Sequence, residues 1–325
     1  MLTTQLPVSD QQLGAVLQPL GVPVEFEPLS GGMFASAHRV VLTDGRCVVV
    51  KVTATDPARL CRYERGIART EADVYSTLSH RRVPVPRVLL TDFSHRIIDA
   101  DVVVTGLLSG TPWNDRALSE EDMRGVRRRL GSMMARLHVV RAPAFGYPAL
   151  EAELQADGWG AAFRAMVEAL LQDAAASGTA LPEERIRAAL QAQAAALDSV
   201  TEPVYVHTDL WPGNVFLDDD GEISGIIDTE RTVWGDPLLE LVGADQLGLW
   251  DIDADVLAGN SDAGGVLAGA LSSPHGSTRF ALCRLYMTLV LLTEINVRGY
   301  DGEWLPAHRS RVEKMLEATL ERLIP

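Results

Sequence analysis

Asp209, Asn214 and Asp228 are the residues whose types and spacing best suggest chemistry. They stand in His207-Thr208-Asp209-Leu210-Trp211-Pro212-Gly213-Asn214 and in Ile226-Ile227-Asp228. Phosphoryl transfer needs a carboxylate at the acceptor hydroxyl, hard oxygen ligands for the metal ions that bridge the phosphates, and positive charge on those phosphates. Asp209 and Asn214 lie five residues apart, which lets the first face an acceptor while the second ligates magnesium. Pro212-Gly213 suits the tight loop between them. Ile226-Ile227 drives a strand into the core, so the Asp228 carboxylate emerges beside the loop as a second hard ligand. Alone, His207-Thr208-Asp209 could be a turn with a helix cap; the joint pattern between apolar strands favours chemistry.

The elements that must position these residues can be read outward from them. A capping-box pattern at Ser9-Asp10-Gln11-Gln12 opens a short helix that Gly21 ends. Residues 26–29 and 38–42, with the turn Thr43-Asp44-Gly45, form a hairpin-like unit. The run Cys47-Val48-Val49-Val50-Lys51-Val52 reads as a central strand. Lys51 is hard to explain there as surface decoration, because such a strand would bury it. The pattern predicts a helix over 59–78, a break at Val83-Pro84-Val85-Pro86, and strands over 88–93 and 101–105. Beyond Gly110 the pattern predicts helices over 120–139, 159–176 and 183–197, and short strands over 204–206, 214–217 and 223–227. From Pro237 onward it is helical again. A Gly/Ser/Ala-rich stretch over 258–277 interrupts it and reads as a functional or mobile loop. The resulting plan is α+β, with a small β-rich lobe over 1–105 and a larger helical lobe over 106–325 that contains a helical insert at 151–200.

Composition removes several function classes. The 325 residues are 47% hydrophobic and 22% charged, ample for a buried core. A formal net charge of −15 argues against binding a nucleic-acid backbone. Cys47, Cys61 and Cys283 follow no metal spacing and read as inert thiols in a reducing compartment. The first residues lack a basic segment followed by an apolar run, and the most apolar stretch, 285–295, is too short to cross a bilayer and contains Glu294. The expectation is a cytoplasmic protein with neither membrane nor nucleic acid as partner. Asp251, Asp253 and Asp255 read as a solvated surface rather than a cation-attracting rim. Neither a Gly-x-Ser-x-Gly elbow nor a Walker A motif is present.

The segment from His207 to Asp228 resembles the Brenner-type loop of the aminoglycoside phosphotransferases and their relatives, which share the protein-kinase-like two-lobed fold. That family usually reads His-Gly-Asp, with Asn five residues after the Asp and then Ile-Asp-x-Glu. Here Thr208 replaces the Gly, Glu230 completes Ile-Asp-Thr-Glu, and Gly235-Asp236-Pro237 matches a Gly-Asp-Pro before a helix. The resemblance implies that Asp209 orients the acceptor hydroxyl and that Asn214 and Asp228 hold Mg2+. It further implies that Lys51 holds the nucleotide phosphates and that Glu71 pairs with Lys51, with Glu64 as the competing partner. Ser30-Gly31-Gly32 resembles the family's short Gly-rich nucleotide turn, although Gly31 and Gly32 could equally form an ordinary hairpin turn. By the same resemblance, adenine meets the linker backbone around Thr105 to Leu107, and Asp236 caps the helix opened by Pro237 and braces the catalytic loop. The family's donor is ATP, with GTP as the alternative, and its acceptor is a small molecule bearing a hydroxyl. An aminoglycoside or other antibiotic leads as acceptor, implying resistance or self-protection, and a metabolic kinase of the homoserine, choline or sugar type is the alternative. A non-catalytic nucleotide-binding relative would have lost Lys51, Asp209 or Asn214, and all three are present.

Overall fold

Ser9 opens helix α1 (Asp10–Leu17) with a reciprocal cap: its hydroxyl accepts the Gln12 N–H at 3.3 Å, and the Gln12 side chain accepts the Ser9 N–H at 3.1 Å. The computed structural model describes residues 5–30 and 32–324. After α1 comes an antiparallel five-stranded sheet. It is built from β1 (Pro23–Leu29), β2 (Ser36–Leu42), β3 (Cys47–Thr53), β4 (Val88–Asp92) and β5 (Asp101–Gly106) in the order β1-β2-β3-β5-β4. Strand alternation decides what Lys51 does. Val48, Val50 and Val52 are fully buried under α1 with Leu13, Leu17, Val40, Val102 and Val104, each worth about 1.5–3 kcal/mol. Lys51 lies on the opposite face, paired in register with Ala37 and Val103, so the strand presents its ammonium to the other lobe instead of sinking it into the valine layer.

The helix expected over 59–78 is shorter. Pro57–Arg59 and Arg62–Glu64 are single 3-10 turns, and α2 (Ile67–His80) starts after Gly66, whose φ of +72° suits a residue without a Cβ. Tyr63 and the apolar face of α2 join the larger core of the helical lobe, so this segment is the physical joint between the lobes.

The helical lobe holds α3 (Glu120–His138), α4 (Trp159–Ala176), α5 (Glu183–Ala192), α6 (Ala194–Asp198), α7 (Leu238–Ala244), α8 (Ala254–Asp262), α9 (Leu267–Ser272), α10 (Gly276–Val297) and α11 (Leu305–Leu323). The helix expected over 183–197 is thus two, broken at Gln193. Two small sheets complete the lobe. One is β11 (Ile223–Ile226), β10 (Val215–Leu217) and β6 (Thr111–Pro112); the other is β8 (Gln155–Ala156), β7 (Phe145–Gly146), β12 (Val233–Gly235) and β9 (Val204–Val206).

Two expectations about the C-terminal third need correction. Residues 258–277 are largely helical, formed by α8, α9 and the start of α10. Their small residues serve close packing. A Cβ on Gly259 would come within 1.9 Å of the Arg128 carbonyl oxygen, and one on Gly131 within 2.0 Å of that of Val256. Asn260, fully buried, ties the crossing together by donating to the Gly131 carbonyl at 3.1 Å and accepting the Leu267 N–H at 3.1 Å. The second correction concerns the apolar stretch over 285–295. It belongs to the 22-residue α10, which is long and apolar enough to cross a membrane by length and composition but is buried as the central helix of its lobe.

Candidate active site

The loop that carries Asp209 is held by buried partners on both sides. Glu240 projects from the otherwise apolar start of α7 and accepts the backbone N–H groups of His207 at 2.9 Å and Thr208 at 3.1 Å. The His207 Nε2 lies 2.8 Å from the Ile227 carbonyl, which can only accept, so this nitrogen carries the proton. The His207 Nδ1 is then free to accept the Asp209 N–H at 3.3 Å. Burial lowers the His207 pKa and keeps the ring neutral, so it shapes the loop. Thr208 adopts φ +67°, a strained value for a β-branched residue and the reason a glycine suits this position. Its hydroxyl compensates by donating to the Arg231 carbonyl at 2.8 Å. Gly243 lets α7 approach: a Cβ there would meet the Thr208 backbone at 2.4 Å. Asn214 is buried and donates its Nδ2 to the Asp209 carbonyl at 2.9 Å, which leaves its Oδ1 as a hard donor.

Three chain segments meet at Lys51. Its Nζ lies 3.0 Å from Glu71 Oε1 on α2, 2.9 Å from Asp228 Oδ1 and 2.5 Å from Glu230 Oε2. Tyr75, one turn after Glu71, donates to Glu71 at 3.1 Å and accepts the Asp228 N–H at 3.0 Å, so α2 and the Asp228 turn are fastened together. Burial works against the Lys51 charge, yet Asp228, Glu230 and Glu71 together hold its pKa well above the ordinary value. Glu71 is raised to about 7 by burial, with Lys51 opposing and the Glu230 and Asp228 charges adding to the rise. Asp228 runs the other way: Lys51 overcomes its burial and holds it below the usual carboxylate value. One oxygen each of Glu71, Asp228 and Glu230 lie within 4.8 Å of one another. Carboxylate oxygens and the Asn214 amide oxygen are hard donors, which suit magnesium and would be poor for a soft metal.

Asp209 is largely buried, and burial is the main reason its pKa rises to about 7; Arg231 opposes the rise while Asp228 and Glu230 add to it. Its Oδ1 accepts from Gln246 Nε2 at 2.7 Å. Trp211 is 43% exposed and lays its ring over Gly213, where a Cβ would fall 2.3 Å from the ring.

The structure brings Lys51, Glu71 and Asp228 into direct contact and sets them beside the Asp209–Asn214 loop. Glu64, the competing partner for Lys51, is elsewhere: it lies outside α2, is buried, and pairs with Arg298. Asp236 caps α7 by accepting the Leu238 N–H at 3.0 Å, but it does not brace the loop. Its carboxylate is clamped by Arg279 of α10 at 2.7 and 2.6 Å, and Glu240 makes the bracing contacts instead. Gly32 is exposed and its carbonyl accepts from Gln5 at 2.7 Å; Gly31 lies outside the described residues. Thr105 is the penultimate residue of β5, beside Val49 and Val88, and Leu107 is half exposed with its N–H on the Cys47 carbonyl at 3.3 Å. Asp253 and Asp255 pair with Arg127 and Arg128 of α3 at 3.3 and 3.4 Å. Sequence reasoning passed over Glu240, Gln246 and a second ion cluster of Arg231, Glu294, Arg298 and Glu64. Its signal was present in the charges that interrupt the most apolar helices, Glu240 in α7 and Arg279, Arg284 and Glu294 in α10.

Comparison with known proteins agrees with this arrangement. The model of the phosphotransferase enzyme family (APH) matches residues 25–269. A candidate fructosamine-3-kinase from Thermobifida fusca YX-ER1 shares the fold with a TM-score of 0.68 at 20% identity, over 97% of this chain and 100% of its own. Aminoglycoside phosphotransferase APH(4)-Ia matches with a TM-score of 0.65 at 16% identity, over 98% and 100% of the two chains. APH(2")-IIa, solved as a ternary complex with streptomycin and ATP, gives 0.61 at 17% identity over 96% and 99%. No curated protein sequence matches the chain. With three quarters of its length under the family model and a protein-kinase-like two-lobed fold, the chain belongs to the phosphotransferase enzyme family and is a kinase-type phosphotransferase acting on hydroxyl groups.

Proposed function

We propose that this enzyme transfers the γ-phosphoryl of ATP, with GTP as the alternative donor, to a hydroxyl of a small molecule. The observation that carries the reading is the convergence of Lys51, Glu71 and Asp228, from segments up to 177 residues apart, beside the Asp209–Asn214 loop. Asp209 orients the acceptor hydroxyl and takes its proton late. In a loose transition state positioning outweighs general-base push, so a carboxylate held in one orientation suffices. Lys51, steadied by Glu71, binds the donor's phosphates. Asn214 and Asp228 would hold Mg2+, which when bound neutralises charge on the phosphates. Gly31 and Gly32 take the phosphate end of the nucleotide and the Thr105–Leu107 linker backbone takes the adenine end, with the lobe boundary at 105/106. The protein works in the cytoplasm.

For the acceptor, an aminoglycoside or other antibiotic leads. Support comes from the likeness to APH(4)-Ia, solved with hygromycin B, and to APH(2")-IIa, solved with streptomycin. A metabolic sugar-type acceptor is the second reading, favoured by the likeness to the candidate fructosamine-3-kinase. An ADP-release screen with Mg2+-ATP over antibiotic classes, choline, homoserine and glycated or free sugars decides between them. On the acceptor found, Asp209→Ala should lower turnover about 100-fold or more with nucleotide binding intact. Near-wild-type turnover in that variant would remove Asp209 from its role.

A further inference from the structure

The Asp209 carboxylate has one oxygen engaged by the protein and one free. Gln246 Nε2 donates to Oδ1 at 2.7 Å, while Oδ2 has no protein donor among the described residues. Gln246 sits just beyond the end of α7, in a loop over residues 245–249 that has no regular structure of its own to hold it. Its backbone is pinned by arginines from two other helices. Arg284 of α10, 1% exposed, donates to the Leu249 carbonyl at 2.9 Å and to the Asp245 carbonyl, and its guanidinium lies 3.7 Å from the Asp245 carboxylate. Arg311 of α11 donates to the Leu247 carbonyl at 3.0 Å. Gly248 permits the tight turn, because a Cβ there would fall 1.8 Å from the Asp245 carboxylate. A guanidinium buried in an apolar helix and directed at two loop carbonyls is a costly device for a surface loop. What it fixes in space is the Gln246 amide.

We propose that Gln246 is a positioning residue for Asp209: its amide N–H locks Oδ1, so that Oδ2 alone is presented to the acceptor hydroxyl. The proposal rests on the reading of Asp209 given above. An ionised carboxylate can only accept, so the amide nitrogen and not its oxygen must face it. Without that bond the carboxylate rotates about its last torsion, which is soft and twofold, and the acceptor loses its fixed partner.

The test uses the full chain with Mg2+-ATP and water as the acceptor, reading ADP release as kcat and KM separately. Gln246→Met keeps the volume without the donor, and Gln246→Glu keeps the shape but sets a carboxylate against Asp209. Expected are kcat losses of about 10-fold for Met and about 100-fold for Glu, with KM for ATP within about two-fold of wild type. A space-filling role would leave both variants near wild type, and that result overturns the proposal, as does a loss carried in KM alone. Thermal melting of each variant identifies a folding defect, and Met remains informative where Glu does not fold. Asp209→Asn runs alongside. If it turns over normally, the reading of Asp209 falls and takes the proposal with it. If it is inactive while both Gln246 variants behave as wild type, only the positioning role is lost.

Discussion

Two buried ion clusters flank the turn from Asp228 to Arg231, and they are built on opposite principles. Around Lys51, one ammonium faces the three carboxylates of Glu71, Asp228 and Glu230. On the other side, two guanidiniums, Arg231 and Arg298, face two carboxylates, Glu294 and Glu64, with the Tyr63 hydroxyl among them. The second cluster is balanced. It joins the segment before α2 to the end of α10, and Arg298 also stacks on Phe34 at 4.7 Å. The first carries an excess of negative charge that burial makes expensive, and an added cation would relieve it. A balanced buried cluster closes on itself and holds structure together. An unbalanced one is suited to a ligand that completes it.

The sharpest way to break this comparison is to remove one cation from each cluster. Lys51→Met should lower phosphotransfer about 100-fold or more while the protein still folds, because Glu71, already raised to about 7, can take up a proton. Arg298→Met should do the reverse, costing about 3–5 kcal/mol in urea unfolding with nucleotide affinity little changed, because it leaves buried Glu64 without its cation and Glu294 with Arg231 alone. Equal stability losses in the two variants would erase the distinction.

A smaller effect tests the charge excess itself. Glu230→Gln removes one surplus charge, so without divalent cations the melting temperature should rise by about 2–4 °C. The same change should move the Mg2+ dependence of ADP release to higher concentration. A fall in melting temperature with unchanged Mg2+ dependence would show the three carboxylates to be in balance already.

The smallest effect is in pH. Glu71 and Asp209 are both raised to about 7 in the folded protein, from 4.5 and 3.8. Between those values and about 7 the native state holds protons that the unfolded chain has released. Their contribution to stability is therefore complete below about pH 4 and is lost as pH rises through about 7. Activity should have the opposite sign: in the proposed role Asp209 acts ionised, so turnover should climb through the same window. Melting curves and rate profiles from pH 5.5 to 8 should cross, and Mg2+ should flatten the stability limb. Parallel curves would be incompatible with a raised Asp209.

Much of this site was legible because it depends on local rules. The Asp209-to-Asn214 spacing, the apolar pair before Asp228 and the valine run before Lys51 are short-range patterns with direct chemical meaning. The reason given for Lys51 was incomplete, though: the strand alternates it onto the face opposite the valines, where it is buried among carboxylates and not in the apolar layer. Glu71 was preferred as the partner of Lys51 with Glu64 competing, because the helical pattern over 59–78 held both; Pro57 and Gly66 shift the true start of α2 to Ile67 and leave Glu64 in a 3-10 turn. Residues 258–277 looked like a loop because glycine, serine and alanine mark both loops and tight helix crossings, and only the approach of α3 to α8 tells them apart.

By itself, then, the amino-acid sequence determined the family, the strand and helix order around the site, and the residue types available for phosphoryl transfer. The tertiary structure alone decided which charges meet: Lys51 with Asp228 across 177 residues, Arg298 with Glu64 across 234, and Gln246 with Asp209 through a loop pinned by Arg284. The physical reason is range. Hydrophobic periodicity and turn chemistry act over a few residues and leave their mark in the chain. A buried ion pair is specified by the packing of distant elements, and its partners need no fixed spacing at all.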